Sequence, residues 1–252
     1  MSALCRPVSF FRHVYFNQLG HFEPFDALGS KEPPIVNLSL YLIADRPSIK
    51  DENRFFFNVE AAVVGGVTCV QLRDFESDFE TIVMTAKRLK KMLNNHGVPL
   101  MINTSHLIKV VQAVECDGIY LEQQFSSSQI RQLFGRTMIL GMPVKTMDDV
   151  LAAEQNSDID YISVKIYPSK HTNPKEVQVW GIPGLEKVCS VSKHRIVAVG
   201  GITLDNAASV YRLVGPHGGS GLAGNLLKGD NPRAMAEQMQ AIRLQSQILE
   251  RE

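Results

Sequence analysis

From Leu38 onward the chain repeats one unit: a short apolar run, then a longer amphipathic stretch, then a break. The apolar runs are LSLYLIA (38–44), VTCVQL (67–72), VPLMIN (98–103), DGIYLE (117–122), RTMILG (136–141), DIDYISVK (158–165) and HRIVAVGG (194–201). The first stretches between them are NRFFFNVEAAVVGG, FETIVMTAKRLKKMLNNHG closed by Gly97, and SHLIKVVQAVEC with Ser105 as its N-cap. SSSQIRQLF and TMDDVLAAEQN follow, and in the latter Thr146 and Asp149 have the spacing of a capping box. IPGLEKVCSVSK, TLDNAASVYRLVG and a final NPRAMAEQMQAIRLQSQ complete the helical set. Short apolar runs bounded by breakers suit strands buried on both faces, and the intervening helices supply the crossovers that parallel strands require.

This alternation predicts an α/β fold, a (β/α)8 TIM barrel over residues 39–245, with an N-terminal extension (1–38) and a C-terminal tail (246–252). The rival is a doubly wound open sheet. It expects a GxGxxG turn after the first strand, whereas here the glycines come late, at strands seven and eight, where barrels hold phosphate. The eighth strand is the weak one. GPHGGSGLAGN (215–225) has almost no β-former, which predicts a short or irregular segment that closes the barrel imperfectly. The extension carries Phe10, Phe11, Tyr15, Phe16, Phe22 and Phe25 and is expected to pack across the bottom of the barrel or against a partner chain.

Lys plus Arg and Asp plus Glu number 26 each, so a nucleic-acid binder working through bulk charge is excluded and self-association meets little repulsion. Cys5, Cys69, Cys116 and Cys189 are far apart and form no CxxC pair, as expected of reduced thiols in a cytoplasmic protein. No run is long and apolar enough for a membrane span, and no apolar stretch of signal-peptide type follows Arg6 and Arg12.

By position, the strand ends offer Asp45, Arg46, Gln71, Arg73, Asn103, Glu122, Gln123, Lys145, Lys165, Gly200 and Gly201. The planar fork of Arg73 matches phosphate oxygens, and Gln71, two residues earlier, faces the same way; the bland alternative is a surface Arg paired with Asp74 or Glu76. In GGITLDN (200–206), Gly200 and Gly201 let backbone N–H groups approach an anion, and the following helix adds its positive end. GGSGLAGN (218–225) reads as the second half of that cradle. His13, His21, His96, His106, His171, His194 and His217 have no paired ligand spacing, so the residues themselves nominate no metal site; Glu122 is the one acidic candidate at the ends of strands three and four.

Taken together, these segments resemble the thiamine phosphate synthase family, which includes the thiazole tautomerases. The resemblance rests on YLIAD (41–45), GGVTCVQLRD (65–74), LMIN (100–103), DGIYLEQ (117–123) and HRIVAVGGITLDN (194–206). It implies a barrel, a homodimer, and the joining of a hydroxymethylpyrimidine pyrophosphate to a thiazole phosphate with magnesium-assisted release of pyrophosphate. It makes Gln71, Arg73 and Asn103 contacts for the pyrimidine or pyrophosphate. Gly200, Gly201, Ser220, Gly221, Leu222 and Ala223 become contacts for the thiazole phosphate, and Ser169 and Thr172 belong to the sixth-strand loop.

The family pattern is not kept throughout. The family's lysine after glutamine–leucine–arginine falls at Phe75, and its two metal aspartates fall at Thr104 and near Phe125. Its fifth-strand serine falls at Pro143, its fourth-strand histidine at Tyr120, and the tautomerase histidine at Lys145. The Mg2+ ligands of the family are thus not retained. With Arg73, the candidates for catalytic charge are Lys145 and Lys170, with Lys175 a further cation in the same loop. Three readings follow: a divergent synthase, an isomerase using Lys145 or Tyr120 for proton transfer, or a non-catalytic protein that binds a phosphorylated heterocycle.

Overall fold

The computed structural model describes residues 35–122, 125–168 and 179–248. The aromatic segment of the extension and the last residues of the tail lie outside these, as do Gln123, Ser169, Lys170, Thr172 and Lys175. Strands β1 (Leu40–Asp45), β2 (Cys69–Asp74), β3 (Leu100–Thr104), β4 (Gly118–Tyr120), β5 (Ile139–Val144), β6 (Tyr161–Lys165), β7 (Arg195–Val199) and β8 (Gly219–Leu222) form a closed barrel in chain order. Every neighbouring pair is parallel. Around it lie α1 (Glu52–Val64), α2 (Phe79–Asn94), α3 (Leu107–Ala113), α4 (Ser127–Phe134), α5 (Met147–Glu154), α6 (Gly181–Val191) and α7 (Leu204–Val214). A short α8 (Gly224–Leu227) and the long α9 (Pro232–Ile248) follow β8. Among the described residues no helix is long and apolar enough to cross a membrane.

The expected alternation is present, each strand starting a little inside its apolar run. Thr146 and Asp149 form the anticipated capping box, with Asp149 N–H donating to Thr146 Oγ1 at 3.1 Å and Thr146 N–H to Asp149 Oδ2 at 2.9 Å. Ser105 does not cap α3. Its N–H donates to the carbonyl of Asp74 at 3.3 Å, which draws it into the β2–β3 ladder and leaves His106 as the N-cap.

Two apolar layers hold the barrel. The outer one packs residues such as Leu42, Val70, Leu72, Ile102 and Val164 against the helices. The inner one joins Tyr41, Cys69, Met101, Ile139, Tyr161 and Val197, with Val36 and Leu38 at the bottom. Glycines make room for the large inner side chains. A Cβ on Gly141 would lie 2.0 Å from Tyr161 Cζ, and one on Gly118 would lie 2.4 Å from Met101 Sδ. At the bottom, Asp117 accepts from Lys90 Nζ and from Leu100 N–H, both at 2.7 Å. Asp160 accepts from Arg131 Nη2 at 2.8 Å and from Leu140 N–H at 2.7 Å. These bonds commit the N-terminal face to structure and leave the C-terminal face for chemistry.

Imperfect closure at strand eight is not observed. β8 is short, but it pairs with β7 on one side and β1 on the other. Its glycines are demanded by proximity: a Cβ on Gly219 would lie 1.8 Å from the Leu38 carbonyl oxygen, and one on Gly221 2.7 Å from Val199 Cγ1. Low β-propensity yields to a site that admits no side chain. Gly219→Ala should therefore lower unfolding free energy by at least about 1–3 kcal/mol, the range for overpacked cores. Gly224→Ala, where nothing lies within 4 Å, should be nearly neutral in the same urea titrations.

Candidate functional site

Strand alternation sets which side chains reach the barrel mouth. On β2, Cys69, Gln71 and Arg73 point inward; on β6, Tyr161, Ser163 and Lys165 do the same. Gln71 is buried, and its Oε1 accepts from Tyr41 Oη at 2.8 Å. Tyr41 Oη also meets Tyr161 Oη at 2.9 Å. Since Tyr41 has one proton and gives it to Gln71, Tyr161 donates to Tyr41. Higher up, Tyr120 Oη and Ser163 Oγ are 2.7 Å apart. Burial pushes the Tyr41, Tyr161 and Tyr120 hydroxyls above the ordinary tyrosine value, so these groups stay protonated.

Arg73, Asp45 and Asn103 stand at one level in the β1–β2–β3 register. Arg73 Nη1 donates to Asp45 Oδ1 at 2.7 Å, and the Phe75 ring centroid lies 5.4 Å from its Cζ. Its carboxylate partner is thus neither Asp74 nor Glu76. Asp74 is fully buried and accepts from the N–H groups of Glu76 and Ser77 at 3.1 and 3.0 Å. Asn103 is buried, and its Nδ2 donates to Glu122 Oε1 at 3.4 Å.

Lys165 closes the opposite wall. Trp180 N–H donates to its carbonyl at 2.9 Å, and Ile166 N–H donates to Val199 O at 2.8 Å, which fixes the strand end. A Cβ on Gly200 would come within 3.2 Å of Lys165 Cγ and 3.6 Å of Cε, so the lysine stem runs along that glycine. Burial first, and the Arg73 charge second, hold the Lys165 ammonium below its ordinary value. Its signal in sequence was its inward parity with Ser163 at a strand end.

Gly200 and Gly201 adopt positive φ, 86° and 61°. A Cβ on Gly201 would lie 2.6 Å from Tyr167 Cβ, so the pair is required by backbone shape and by the segment packed over it. Beyond it, Thr203 N–H donates to Asn206 Oδ1 at 2.9 Å, and Asn206 Nδ2 donates to Gly201 O at 3.0 Å, fixing the entry to α7. Gly221 lies beside Val199 in the ladder, and Ala223 follows β8. The Ser220 side chain turns the other way, its Oγ 2.6 Å from Tyr211 Oη, and Leu222 is buried in the outer layer. Lys145 lies exposed beyond β5, its N–H donating to Asp149 Oδ2 at 2.8 Å. The structure therefore gathers Gln71, Arg73, Asn103, Lys165 and the glycine pair at one mouth, turns the Ser220 hydroxyl away from it, and leaves Lys145 exposed just beyond β5.

The profile of the thiamine monophosphate synthase family matches residues 40–220. A thiamine-phosphate synthase of Vibrio parahaemolyticus is 34% identical over 203 residues, covering 79% of this chain and 94% of that protein. One from Chlamydia caviae is 34% identical over 172 residues, covering 68% of this chain and 79% of its own. Among solved structures, a thiamine phosphate pyrophosphorylase from Pyrococcus furiosus superposes with a TM-score of 0.72 at 24% identity, over 83% of this chain and 97% of that one, and supports the fold.

Two outcomes follow from this geometry. Tyr41→Phe removes the donor to Gln71 and the acceptor of Tyr161, leaving buried groups unsatisfied, and should cost about 1–3 kcal/mol in urea denaturation. Lys165→Met should flatten the rise of stability with pH. The folded lysine loses its proton below the ordinary 10.5, so in that window the unfolded chain holds more protons and wild-type stability rises with pH. The stability of the variant relative to wild type should accordingly fall from pH 7 towards pH 10.5 in denaturation series.

Proposed function

The chain belongs to the thiamine monophosphate synthase family, and on that premise we propose that it binds a phosphorylated thiazole or pyrimidine at the barrel mouth without performing the magnesium-assisted coupling. The observation that carries this reading is the pair of residues standing where the family resemblance expects metal carboxylates. Thr104 is buried with a neutral hydroxyl, and Phe125 packs against the outer hydrophobic layer. The nearest carboxylates at the mouth are already engaged, Asp45 by Arg73 and Glu122 by Asn103. Among the described residues no group of three or more His, Cys, Asp or Glu is placed to hold a metal ion. This donor set does not fit a magnesium ion, which takes oxygen ligands in octahedral geometry from carboxylates, substrate phosphates and retained waters.

Release of pyrophosphate builds negative charge, and loss of one electrostatic donor from such a site typically costs about 2.7–4 kcal/mol of transition-state stabilisation. Two carboxylates and a lysine are replaced together, at Thr104, Phe125 and Phe75. Binding is a different matter. Arg73, Gln71 and Asn103 converge on the mouth, and Gly200 and Gly201 leave the end of β7 open to close backbone approach by a phosphate. The isomerase reading finds less support: burial holds Tyr120 as a neutral hydroxyl, against the opposing effect of its hydrogen bond with Ser163.

The reading is checked by incubating the protein with hydroxymethylpyrimidine pyrophosphate, thiazole phosphate and magnesium while mass spectrometry follows product, with calorimetry of thiazole phosphate alongside. Binding at one ligand per chain without product above background is expected. Robust thiamine phosphate formation would restore the plain synthase, and absence of binding would remove the ligand reading.

A further inference from the structure

Lys165 has no role in the family resemblance, yet it occupies the inward face of β6 at the mouth. Tyr161 and Ser163, the two inward residues before it, both make hydrogen bonds inside the barrel, so the parity of β6 turns Lys165 to the same interior one step higher. Its backbone is clamped on both sides, by Trp180 N–H on its own carbonyl and by Ile166 N–H on Val199 O. Its stem lies against Gly200, the residue at which the β7 backbone becomes left-handed. From across the barrel, β2 brings Arg73 to the mouth, held in orientation by Asp45 and Phe75. A guanidinium carries five N–H donors, so the single bond to Asp45 does not exhaust it.

Two cations thus face one opening from different walls. Burial and the Arg73 charge both act against the lysine's charge, which places the two cations within electrostatic reach of each other. A divalent cation would be a poor third party here, with Thr104 and Phe125 replacing carboxylates and the nearby acids already engaged.

We propose that Lys165 and Arg73 together hold a multiply charged phosphate group across the barrel mouth with no divalent cation, and that Lys165 sets the preference for such anions. The inference rests on the phosphorylated-heterocycle reading and deepens it. It assigns Lys165 as a binding residue and makes charge on the protein, not a metal ion, the counter-charge of the ligand.

The test is calorimetry of inorganic pyrophosphate and of orthophosphate at fixed ionic strength, in EDTA and again with magnesium. Wild type should bind one pyrophosphate per chain in EDTA, at least tenfold tighter than orthophosphate, and magnesium should change the affinity less than threefold. Lys165→Met and Lys165→Gln should each weaken pyrophosphate at least tenfold while keeping wild-type circular dichroism and melting temperature or better. Lys87→Met, an exposed lysine of α2 that removes the same formal charge, should stay within twofold. Binding that appears only with magnesium, that is unchanged in both Lys165 variants, or that is absent from wild type would overturn the proposal. The coupling assay separates the two ideas. Magnesium-dependent binding without thiamine phosphate formation sinks only the role of Lys165, whereas product formation together with EDTA-resistant binding sinks only the non-synthase reading.

Discussion

Tyr41 and Tyr161 reach each other inside the barrel from β1 and β6, hydroxyl to hydroxyl at 2.9 Å, and Gln71 takes the remaining proton. The contact spans 120 residues of sequence and ties opposite walls together. It is possible because Gly141 yields the space that the Tyr161 ring fills, just as Gly118 yields to Met101. With the lower interior packed in this way, the upper rim becomes the accessible end of the barrel. Parity does the rest. Once Tyr161 points inward, Ser163 and Lys165 must follow, and once Gln71 points inward, so must Arg73. The content of the mouth is therefore a consequence of how the floor is packed.

Much of this was legible before any coordinates. Apolar runs of strand length between amphipathic stretches specify parallel strands with crossover helices, and the order of strands in a barrel follows the order of the chain. The glycine pair at 200–201 stands out in the sequence, and both residues adopt positive φ. What local pattern could not supply was long-range. β8 looks unfit as a strand because propensity measures a generic pleated environment. The environment of Gly219 is the Leu38 carbonyl, which leaves no room for a side chain. Arg73 was easy to pair with its sequence neighbours, but strand direction sends Asp74 to the other face of the sheet, and the available carboxylate is Asp45 on the adjacent strand, 28 residues earlier. Ser220 is a comparable case. A hydroxyl among glycines suggests a ligand contact, yet alternation turns it outward to Tyr211.

Lys165 carries its charge against burial and against the charge of Arg73. A hydrocarbon side chain at this position would pack along Gly200 without desolvating a charge, and it would not face a guanidinium. Asp117 and Asp160 at the opposite face show the contrast, since each carries its charge against a cation and a backbone N–H and so knits strands to helices. The mouth differs in bringing two cations, Arg73 with Asp45 beside it and Lys165, within electrostatic reach of each other.

A neutral residue at position 104 fits the local physics of the third strand. Asp74 and position 104 are register partners on β2 and β3, and neighbouring parallel strands lie only about 5 Å apart. Asp74 is fully buried and already uses one oxygen on the N–H groups of Glu76 and Ser77. A carboxylate at 104 would place a second negative charge beside it, in low dielectric, where like charges are tolerated only with a nearby cation. Thr104 is nearly isosteric in reach but neutral, and it removes that requirement. Phe125 adds apolar contact to the outer layer. Both residues let the chain fold around this end of the barrel without a further buried charge. The glycines at the end of β7 and within β8 lie on strands separate from Thr104 and Phe125. Independent strand ends on a common barrel allow one part of the mouth to change without the others.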